Sequence, residues 1–230
     1  MSGPLTTPDD VPEWLRPLVE ASAKVDTTTF TRVTAPPYGN ARRAAVLMLF
    51  GTGEQGPDVL LLRRADTLGS HAGQAAFPGG GAEDGEDPVT TALREAEEET
   101  GVLPEGVRPV ALFPELYVPV SRFAVTPVLA HWSRPSPVRP VDPAETAAVA
   151  RVPIAELSDP ANRFVVARRD GRWRGPAFTV RGLFVWGFTA GVLATLLELG
   201  GWDREWDRTD VRDLDVALAE HEARTAAERM

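Results

Sequence analysis

The chain has 230 residues, of which 43% are hydrophobic, and this length favours one domain with a sizeable core over two small ones. It contains no cysteine, which excludes disulfides, thiolate metal sites and cysteine nucleophiles and fits the reducing cytoplasm in which we expect it. The net charge of -9 argues against a nucleic-acid-binding surface, because such a surface neutralises phosphates with Lys and Arg.

Two stretches bear on membrane targeting. The first ten residues are polar and acidic, without the basic and then apolar plan of a secretion signal. The most apolar stretch, residues 183–199, is interrupted by glycine and threonine and carries Glu198 near its end, so it is short and impure for a membrane span. We expect a buried helix there and no association with membranes.

The first half of the chain predicts one helix and a β-hairpin. Residues 12–24 place apolar side chains on one helical face after a proline. Residues 44–50 and 59–62 are apolar runs separated by the glycine-rich turn 51–57, as in a hairpin. Residues 66–82 carry five glycines and show little helix or strand pattern.

An acidic helix is predicted at residues 87–100. Asp87 is a good N-cap, Pro88 suits the first helical position, and Gly101 ends the helix in the usual C-terminal way. Farther along, strands are predicted at 110–116, 123–131 and 147–152, and helices at 186–199 and 209–223. This mixture of strands and helices gives an α/β (α+β) fold class.

The acidic helix carries three glutamates on one face, because residues three and four apart on a helix are neighbours. These are Glu95, Glu98 and Glu99. Like charges at this spacing destabilise a helix by about 0.2–0.5 kcal/mol per pair. A cation bound between the carboxylates would offset this repulsion. Mg²⁺ is the natural choice, since a few carboxylates, waters and substrate phosphates hold it. From the charges alone, a solvated surface is the commoner explanation of a Glu-rich helix.

The wider pattern around this helix decides between those two interpretations. The stretch fits the spacing G-x5-E-x7-R-E-U-x-E-E-x-G-U, where U is aliphatic. Its seven Gly, Glu and Arg positions would match by chance on the order of once in 10⁸ starts. The matching residues are Gly80, Glu86, Arg94, Glu95, Ala96, Glu98, Glu99, Gly101 and Val102. The stretch resembles the signature of the Nudix hydrolases at every position.

The resemblance implies a fold, an activity and a set of residue roles. Nudix hydrolases have an α/β/α sandwich with a mixed sheet and use Mg²⁺ or Mn²⁺ to hydrolyse a nucleoside diphosphate linked to another moiety. Carried over by position, Glu95 and Glu99 would be the principal metal ligands, and Glu98 a further ligand or the base that deprotonates water. Arg94 would hold the carboxylates in place by pairing with Glu86. The implied domains are residues 1–40 (N-terminal helix and connector), 41–205 (hydrolase) and 206–230 (C-terminal helix packed on or extending from it).

A second motif lies upstream, in residues 60–80. These read LLLRRADTLGSHAGQAAFPGG and resemble the L-L-T-x-R-[SA]-x3-R-x3-G-x3-F-P-G-G motif of the coenzyme A diphosphatase branch of the family. The sequence departs from it at Leu62, where Thr is expected, and at Gly69, where Arg is expected. Residues 185–190 also resemble a W-G-x-T-A stretch of this branch. The branch splits coenzyme A (CoA) into 3′,5′-ADP and 4′-phosphopantetheine, which makes CoA the expected substrate.

The upstream motif also supplies the expected substrate-binding residues, which are Arg64, His71, Phe77, Gly79 and Gly80. A guanidinium such as that of Arg64 can hold a phosphate. His71 could bind phosphate or assist proton transfer, or equally make a structural hydrogen bond within its loop. Phe77 shapes the turn before Gly80 more plausibly than it stacks on adenine.

Several alternatives stay open from the sequence. The general base is Glu98, or Glu115 or Glu145 near predicted strand ends, because geometry decides this role. The substrate is CoA or a derivative, or, given Gly69, ADP-ribose or NADH. A third hypothesis is a non-catalytic domain that senses a nucleotide. Such a domain would not need all the carboxylates of the motif. A homodimer could form through helix 186–199.

Overall fold

The computed structural model describes residues 2–31, 41–67, 71–171 and 173–228. Residues 32–40 of the connector expected over residues 27–42, and Gly69, where the sequence departs from the CoA motif, lie outside these residues. The α-helices within the described ranges are α1 (Arg16–Ser22), α2 (Thr27–Phe30), α3 (Pro88–Thr100), α4 (Ile154–Leu157), α5 (Gly187–Leu199) and α6 (Leu214–Glu228). The strands there are β1 (Gly3–Pro4), β2 (Arg42–Gly53), β3 (Gly56–Arg64), β4 (Ala75–Ala76), β5 (Gly79–Gly81), β6 (Val107–Leu112), β7 (Leu116–Val118), β8 (Phe123–Trp132), β9 (Thr146–Pro153), β10 (Arg163–Ala167), β11 (Arg174–Val180), β12 (Leu183–Val185) and β13 (Val211–Asp213).

The main sheet is mixed and is built around β2. Its strand order is β1-β6-β8-β2-β3-β4, with β5 also paired to β2, β7 to β8 and β9 to β3. The β2–β8 pair is parallel, whereas β2–β3 and β2–β5 are antiparallel. The hairpin expected from the two apolar runs is therefore confirmed. Its strands extend through most of the glycine-rich turn, since Gly53 pairs with Gly56.

Side chains of β2 alternate between two cores, because successive residues of a strand point to opposite faces of the sheet. Ala45, Leu47 and Leu49 pack in the core that contains Ala92 and Ala96 of α3. Met48 and Phe50 pack in the larger core, with apolar side chains of α1 and α5. Helices thus cover both faces of the main sheet, which explains why β2 is apolar almost throughout. The α/β fold class with a sandwiched mixed sheet is confirmed.

A second, four-stranded sheet with the order β12-β11-β10-β13 lies beside the larger core. Phe178 and Val185 of this sheet join that core. On its other face Phe164 and Phe184 pack with Leu214 and other side chains of α6. The C-terminal helix is therefore packed on the second sheet.

Local signals placed the acidic helix correctly but misplaced several elements that depend on distant partners. The expected strand 110–116 is wrong, because β6 ends at Leu112 and β7 is a separate strand on β8. The expected helix 209–223 begins only at Leu214, since Val211–Asp213 pairs in parallel with β10. The apolar stretch 183–199 begins with strand β12 and becomes helical at Gly187.

No helix in the described ranges is both long enough and apolar enough to cross a membrane.

Candidate active site

The acidic helix α3 has the ends that the sequence predicts. The Asp87 carboxylate accepts hydrogen bonds from the backbone N–H of Val89 (2.8 Å) and of Thr90 (3.2 Å), which would otherwise lack helical partners. Gly101 follows the helix with φ of 68°, the left-handed conformation that glycine adopts without strain. Ala92 and Ala96 are fully buried against the sheet. This packing fixes which face of α3 its glutamates occupy.

The glycine strand β5 runs directly along that face. Gly79 and Gly80 pair with Val46 and Ala45 of β2. A Cβ atom on Gly80 would lie 2.4 Å from the Glu95 carboxylate, and one on Gly79 would lie 2.3 Å from the Ala45 carbonyl oxygen. Neither distance is available to a side chain, so glycine at both positions lets the strand and the carboxylates approach this closely.

Arg94 organises the carboxylates around it. Its Nε donates to Glu86 Oε1 at 2.8 Å and its Nη2 to Glu86 Oε2 at 3.0 Å, a bidentate pair. The same Nη2 donates to the Gly81 carbonyl at 3.0 Å. Its Nη1 donates to Glu95 Oε1 at 3.0 Å and to Glu98 Oε2 at 3.1 Å. The hydrogen bonds from Arg94 lower the pKa of Glu86 to about 2, so Glu86 stays ionised.

The carboxylates of Glu99 and Glu95 have little access to water. The Glu99 side chain is only 9% exposed, and burial raises its pKa to about 7 although the Gly79 N–H donates to Oε2 at 2.9 Å. Burial also raises the pKa of Glu95, against the hydrogen bond from Arg94. Desolvation disfavours an anion. A bound cation would therefore stabilise the anionic form of these two carboxylates the most.

Glu98 differs from its two neighbours because its side chain is 59% exposed. Its Oε2 accepts from Arg94, and Glu95 is held through Oε1. Within the described residues, Glu98 Oε1 and Glu95 Oε2 have no hydrogen-bond donor. Arg94 thus fixes one oxygen of each carboxylate and leaves the other available.

Residues from outside α3 complete the site. Arg64, at the end of β3, lies 3.7 Å from Glu99 Oε1 through its Nη1. The charge of Glu145 lies close enough to raise the pKa of Glu99 further. The Ala65 N–H donates to the Glu145 carbonyl at 2.8 Å, which ties the segment before β9 to the end of β3. The structure therefore brings Arg64 and Glu145 to the carboxylates.

Three other sequence candidates are placed differently. His71 Nδ1 lies 2.9 Å from Gln74 Oε1, which is the loop hydrogen bond that the sequence left open for it. Phe77 is 2% exposed in the larger core, so its ring packs there and has no face for a substrate. Glu115 is exposed just before β7 and makes no ion pair or hydrogen bond to α3 in the described part of the chain.

The donor set suits a magnesium-type ion. Among the described residues, no group of three or more Asp, Glu, His or Cys side chains is gathered tightly enough to hold a metal unaided. Mg²⁺ commonly takes only one or two carboxylates and keeps waters and substrate phosphates as its other ligands. Glu95 and Glu99, both oxygen donors destabilised by burial, fit that requirement.

Sequence reasoning missed three contributions to this site. The hydroxyl of Thr91 lies 2.9 Å from Glu86 Oε2. The other two are backbone groups, the Gly79 N–H that binds Glu99 and the Gly81 carbonyl that binds Arg94. The position of Thr91 five residues after Glu86 could have suggested the first contact. Nothing in the side chains signals the backbone contacts, because they depend on how β5 pairs with β2.

Together, a mixed sheet covered by helices and an arginine-ordered carboxylate helix beside a glycine strand fit a hydrolase that works with a carboxylate-bound divalent cation. Residues 40–175, more than half of the chain, match the NUDIX domain model. The chain is 37% identical over 165 residues to the uncharacterized Nudix hydrolase NudL of Cronobacter sakazakii (strain ATCC BAA-894), covering 70% of this chain and 84% of that protein. It is 35% identical over the same length and coverage to the NudL protein of Escherichia coli (strain K12).

The chain therefore belongs to the Nudix family and is a pyrophosphohydrolase of nucleotide pyrophosphates. Among solved structures, a Nudix hydrolase from M. smegmatis, RenU, superposes with a TM-score of 0.48 at 22% identity. That match covers 73% of this chain and 91% of RenU.

Proposed function

We propose that this protein hydrolyses the pyrophosphate bond of coenzyme A, or of a CoA derivative, to 3′,5′-ADP and 4′-phosphopantetheine. The observation that carries the proposal is the contact between the two motifs. The upstream motif that resembles the CoA branch supplies Arg64, 3.7 Å from Glu99, and the Gly79 N–H that binds Glu99. The segment that resembles a CoA-specific signature therefore adjoins the hydrolytic helix.

The proposed roles follow the environment of each group. Glu95 and Glu99 would hold Mg²⁺ or Mn²⁺, which when bound screens phosphate charge and activates water. Glu98, the most exposed of the three and with one oxygen free, would take the proton from the attacking water. Arg94 would keep Glu95 and Glu98 in fixed orientations through the hydrogen bonds that it donates to them.

The substrate side of the proposal rests mainly on Arg64. Two other arginines that the sequence offers are already paired, since Arg63 binds Asp66 at 2.6 Å and Arg169 binds Asp213 at 2.9 Å. Arg64 has its nearest carboxylate at 3.7 Å and a buried Nε without a partner in the described residues. We assign it to a substrate phosphate, with the backbone of Gly79 and Gly80 beside it.

A second substrate class has one observation in its favour. Gly69 stands where the CoA motif has an arginine, which removes one expected phosphate contact. ADP-ribose and NADH carry a pyrophosphate without the 3′-phosphate of CoA. Binding of ADP-ribose or NADH therefore requires less positive charge in the site. The alternative function is accordingly a pyrophosphatase with a broader substrate range.

A substrate panel separates the two possibilities. The purified protein is assayed with CoA, an acyl-CoA, ADP-ribose and NADH under one Mg²⁺ concentration, and kcat/KM is compared. We expect CoA or acyl-CoA to exceed ADP-ribose and NADH by at least about tenfold, the effect of roughly one good ionic contact. Higher kcat/KM for ADP-ribose or NADH would reject the CoA assignment and leave the pyrophosphohydrolase intact.

The compartment and the oligomeric state complete the proposal. The lack of cysteine is compatible with a reducing cytoplasm, where CoA would be met. A homodimer through α5 would use the surface at Gly191, where an added Cβ meets nothing within 4 Å. Cell fractionation and sedimentation velocity test these two points separately.

A further inference from the structure

We propose that Thr91 is a positioning residue for the metal-binding carboxylates, acting through Glu86 and Arg94. The proposal rests on the proposed function, because it takes Glu95 as a metal ligand and Glu98 as a ligand or base. Thr91 is fully buried, and its hydroxyl lies 2.9 Å from Glu86 Oε2, nearer than to its other acceptor, the Asp87 carbonyl oxygen at 3.2 Å. In the described part of the chain its hydroxyl makes no hydrogen bond to Glu95 or Glu98, and it has no role of its own in the proposed chemistry.

The hydroxyl completes the set of donors around the Glu86 carboxylate. Oε1 accepts from Arg94 Nε at 2.8 Å, while Oε2 accepts from Arg94 Nη2 at 3.0 Å and from the Glu83 N–H at 3.0 Å. The Thr91 hydroxyl is the remaining donor, and the Glu86 side chain is only 13% exposed. Water therefore has little access to replace a lost donor, and an incompletely bonded buried carboxylate is costly.

Arg94 carries the effect from Glu86 to the metal ligands. Glu86 holds the guanidinium by two hydrogen bonds, and the guanidinium holds one oxygen each of Glu95 and Glu98 through Nη1. Because the Arg94 guanidinium is planar and rigid, a shift of the Glu86 carboxylate would move all of its N–H donors together. Outer-shell partners of metal ligands typically change metal affinity or activity by about 10–100-fold when they are mutated.

The preceding residue offers a matched control. Thr90 is also β-branched and lies on the same helical turn, but its hydroxyl donates to the N-cap carboxylate of Asp87 at 2.7 Å and not to Glu86. Thr90→Val removes a hydroxyl from the helix cap only. It is expected to alter helix stability modestly and to leave metal binding unchanged.

The primary measurement is Mn²⁺ affinity without substrate, by the EPR signal of free Mn²⁺, for wild type, Thr91→Val, Thr91→Ser and Thr90→Val. Thr91→Val keeps the side-chain shape and loses the hydroxyl, and is expected to weaken Mn²⁺ binding about tenfold. Thr91→Ser restores the donor and should bind within about twofold of wild type. Thr91→Ala serves as the second hydroxyl-free variant if Thr91→Val does not fold.

A double-mutant cycle tests the path through Glu86. In a Glu86→Gln background, Thr91→Val should weaken Mn²⁺ binding by much less than in wild type, because the contact it breaks is already altered. Equal Mn²⁺ affinity of wild type and of the folded hydroxyl-free variant would overturn the positioning role while leaving the proposed function standing. Equal weakening by Thr91→Val and Thr90→Val would also overturn it. A wild-type protein that binds no Mn²⁺ without substrate would overturn the positioning role, which requires a preformed metal site, whereas the metal-dependent function, in which substrate phosphates supply further ligands, is overturned only by hydrolysis that persists in EDTA.

Discussion

At the scale of single residues, the site sets two kinds of carboxylate side by side. Glu86 is surrounded by donors, which lower its pKa to about 2, whereas burial raises the pKa of Glu99 to about 7. The first is satisfied by the protein alone and orders Arg94. The Glu99 carboxylate is stabilised only partly by Arg64 and the Gly79 N–H. This is the environment expected of a carboxylate whose charge a bound cation would balance.

The raised pKa of Glu99 predicts a pH dependence of stability in the metal-free protein. Between about pH 4.5 and 7 the folded state binds a proton at Glu99 that the unfolded state has released. The free energy of unfolding therefore falls as pH rises through this window, by at most about 3 kcal/mol from this group. Glu99→Gln should remove this contribution and be the more stable protein at pH 8.

Urea denaturation in EDTA at pH 5, 6, 7 and 8 measures this effect. Glu97→Gln, at an exposed position of the same helix, controls for the loss of one carboxylate. Identical pH slopes for wild type and Glu99→Gln would show that Glu99 is not the desolvated group described here.

The proposal for the general base also belongs to this scale. Glu98 has a free oxygen and an exposed side chain beside the buried ligands, whereas Glu145 reaches the site from the segment before β9. We expect Glu98→Gln to lower kcat by about 10²–10⁴-fold, the usual contribution of a general base. Glu145→Gln should change kcat by no more than about threefold. Steady-state kinetics with the inverse pattern would assign the base to Glu145.

At the scale of elements, the site depends on the fit between β5 and α3. Adding a methyl group at Gly80 would place it 2.4 Å from the Glu95 carboxylate, so Gly80→Ala must displace that ligand. We expect kcat/KM to fall roughly tenfold or more, with weaker metal binding.

The adjacent glycine provides the comparison. A Cβ atom at Gly81 would meet nothing nearer than Phe123 Cε1 at 3.8 Å, an ordinary contact. Gly81→Ala should therefore retain most of the activity. Parallel kcat/KM and Mn²⁺-binding measurements on the two variants check the prediction, and equal losses would mean that the spacing between strand and helix is not the cause.

Elements with local signals were predictable from the sequence, and those with distant partners were not. Asp87, Pro88 and Gly101 define α3 because capping and helix termination involve neighbouring residues. Strands β10 and β11 escaped prediction, and β13 was taken for helix, because each is defined by pairing across the second sheet.

The same distinction applies to the site. The carboxylates of α3 could be grouped from helical spacing, and the Arg94–Glu86 pair from the family motif. The approach of Arg64 to Glu99 could not, since the two are 35 residues apart in the chain and are brought together by the pairing of β3 and β5 with β2. The burial of Phe77 was not predictable either, because a buried aromatic residue next to a glycine turn looks the same in sequence as an exposed one.

At the scale of the whole molecule, the two apolar cores of the main sheet are separate from the carboxylate side of α3. The larger core joins the main sheet to α1, α5 and the second sheet, while α6 closes the outer face of that second sheet. Within the described ranges, α3 is the helix that the smaller core holds against the other face of the main sheet. Helix α3 is therefore anchored by its apolar side on the main sheet, and its carboxylate side lies along β5.

The most direct test of the central claim is product analysis with CoA. The protein is incubated with CoA and about 5 mM Mg²⁺, a level chosen to exceed typical weak Mg²⁺ sites, and the products are resolved by mass, with EDTA and Glu99→Gln as parallel samples. We predict equal amounts of 3′,5′-ADP and 4′-phosphopantetheine from wild type with Mg²⁺, and intact CoA in both parallel samples. Intact CoA in every sample, or cleavage that persists in EDTA and in Glu99→Gln, would contradict the account.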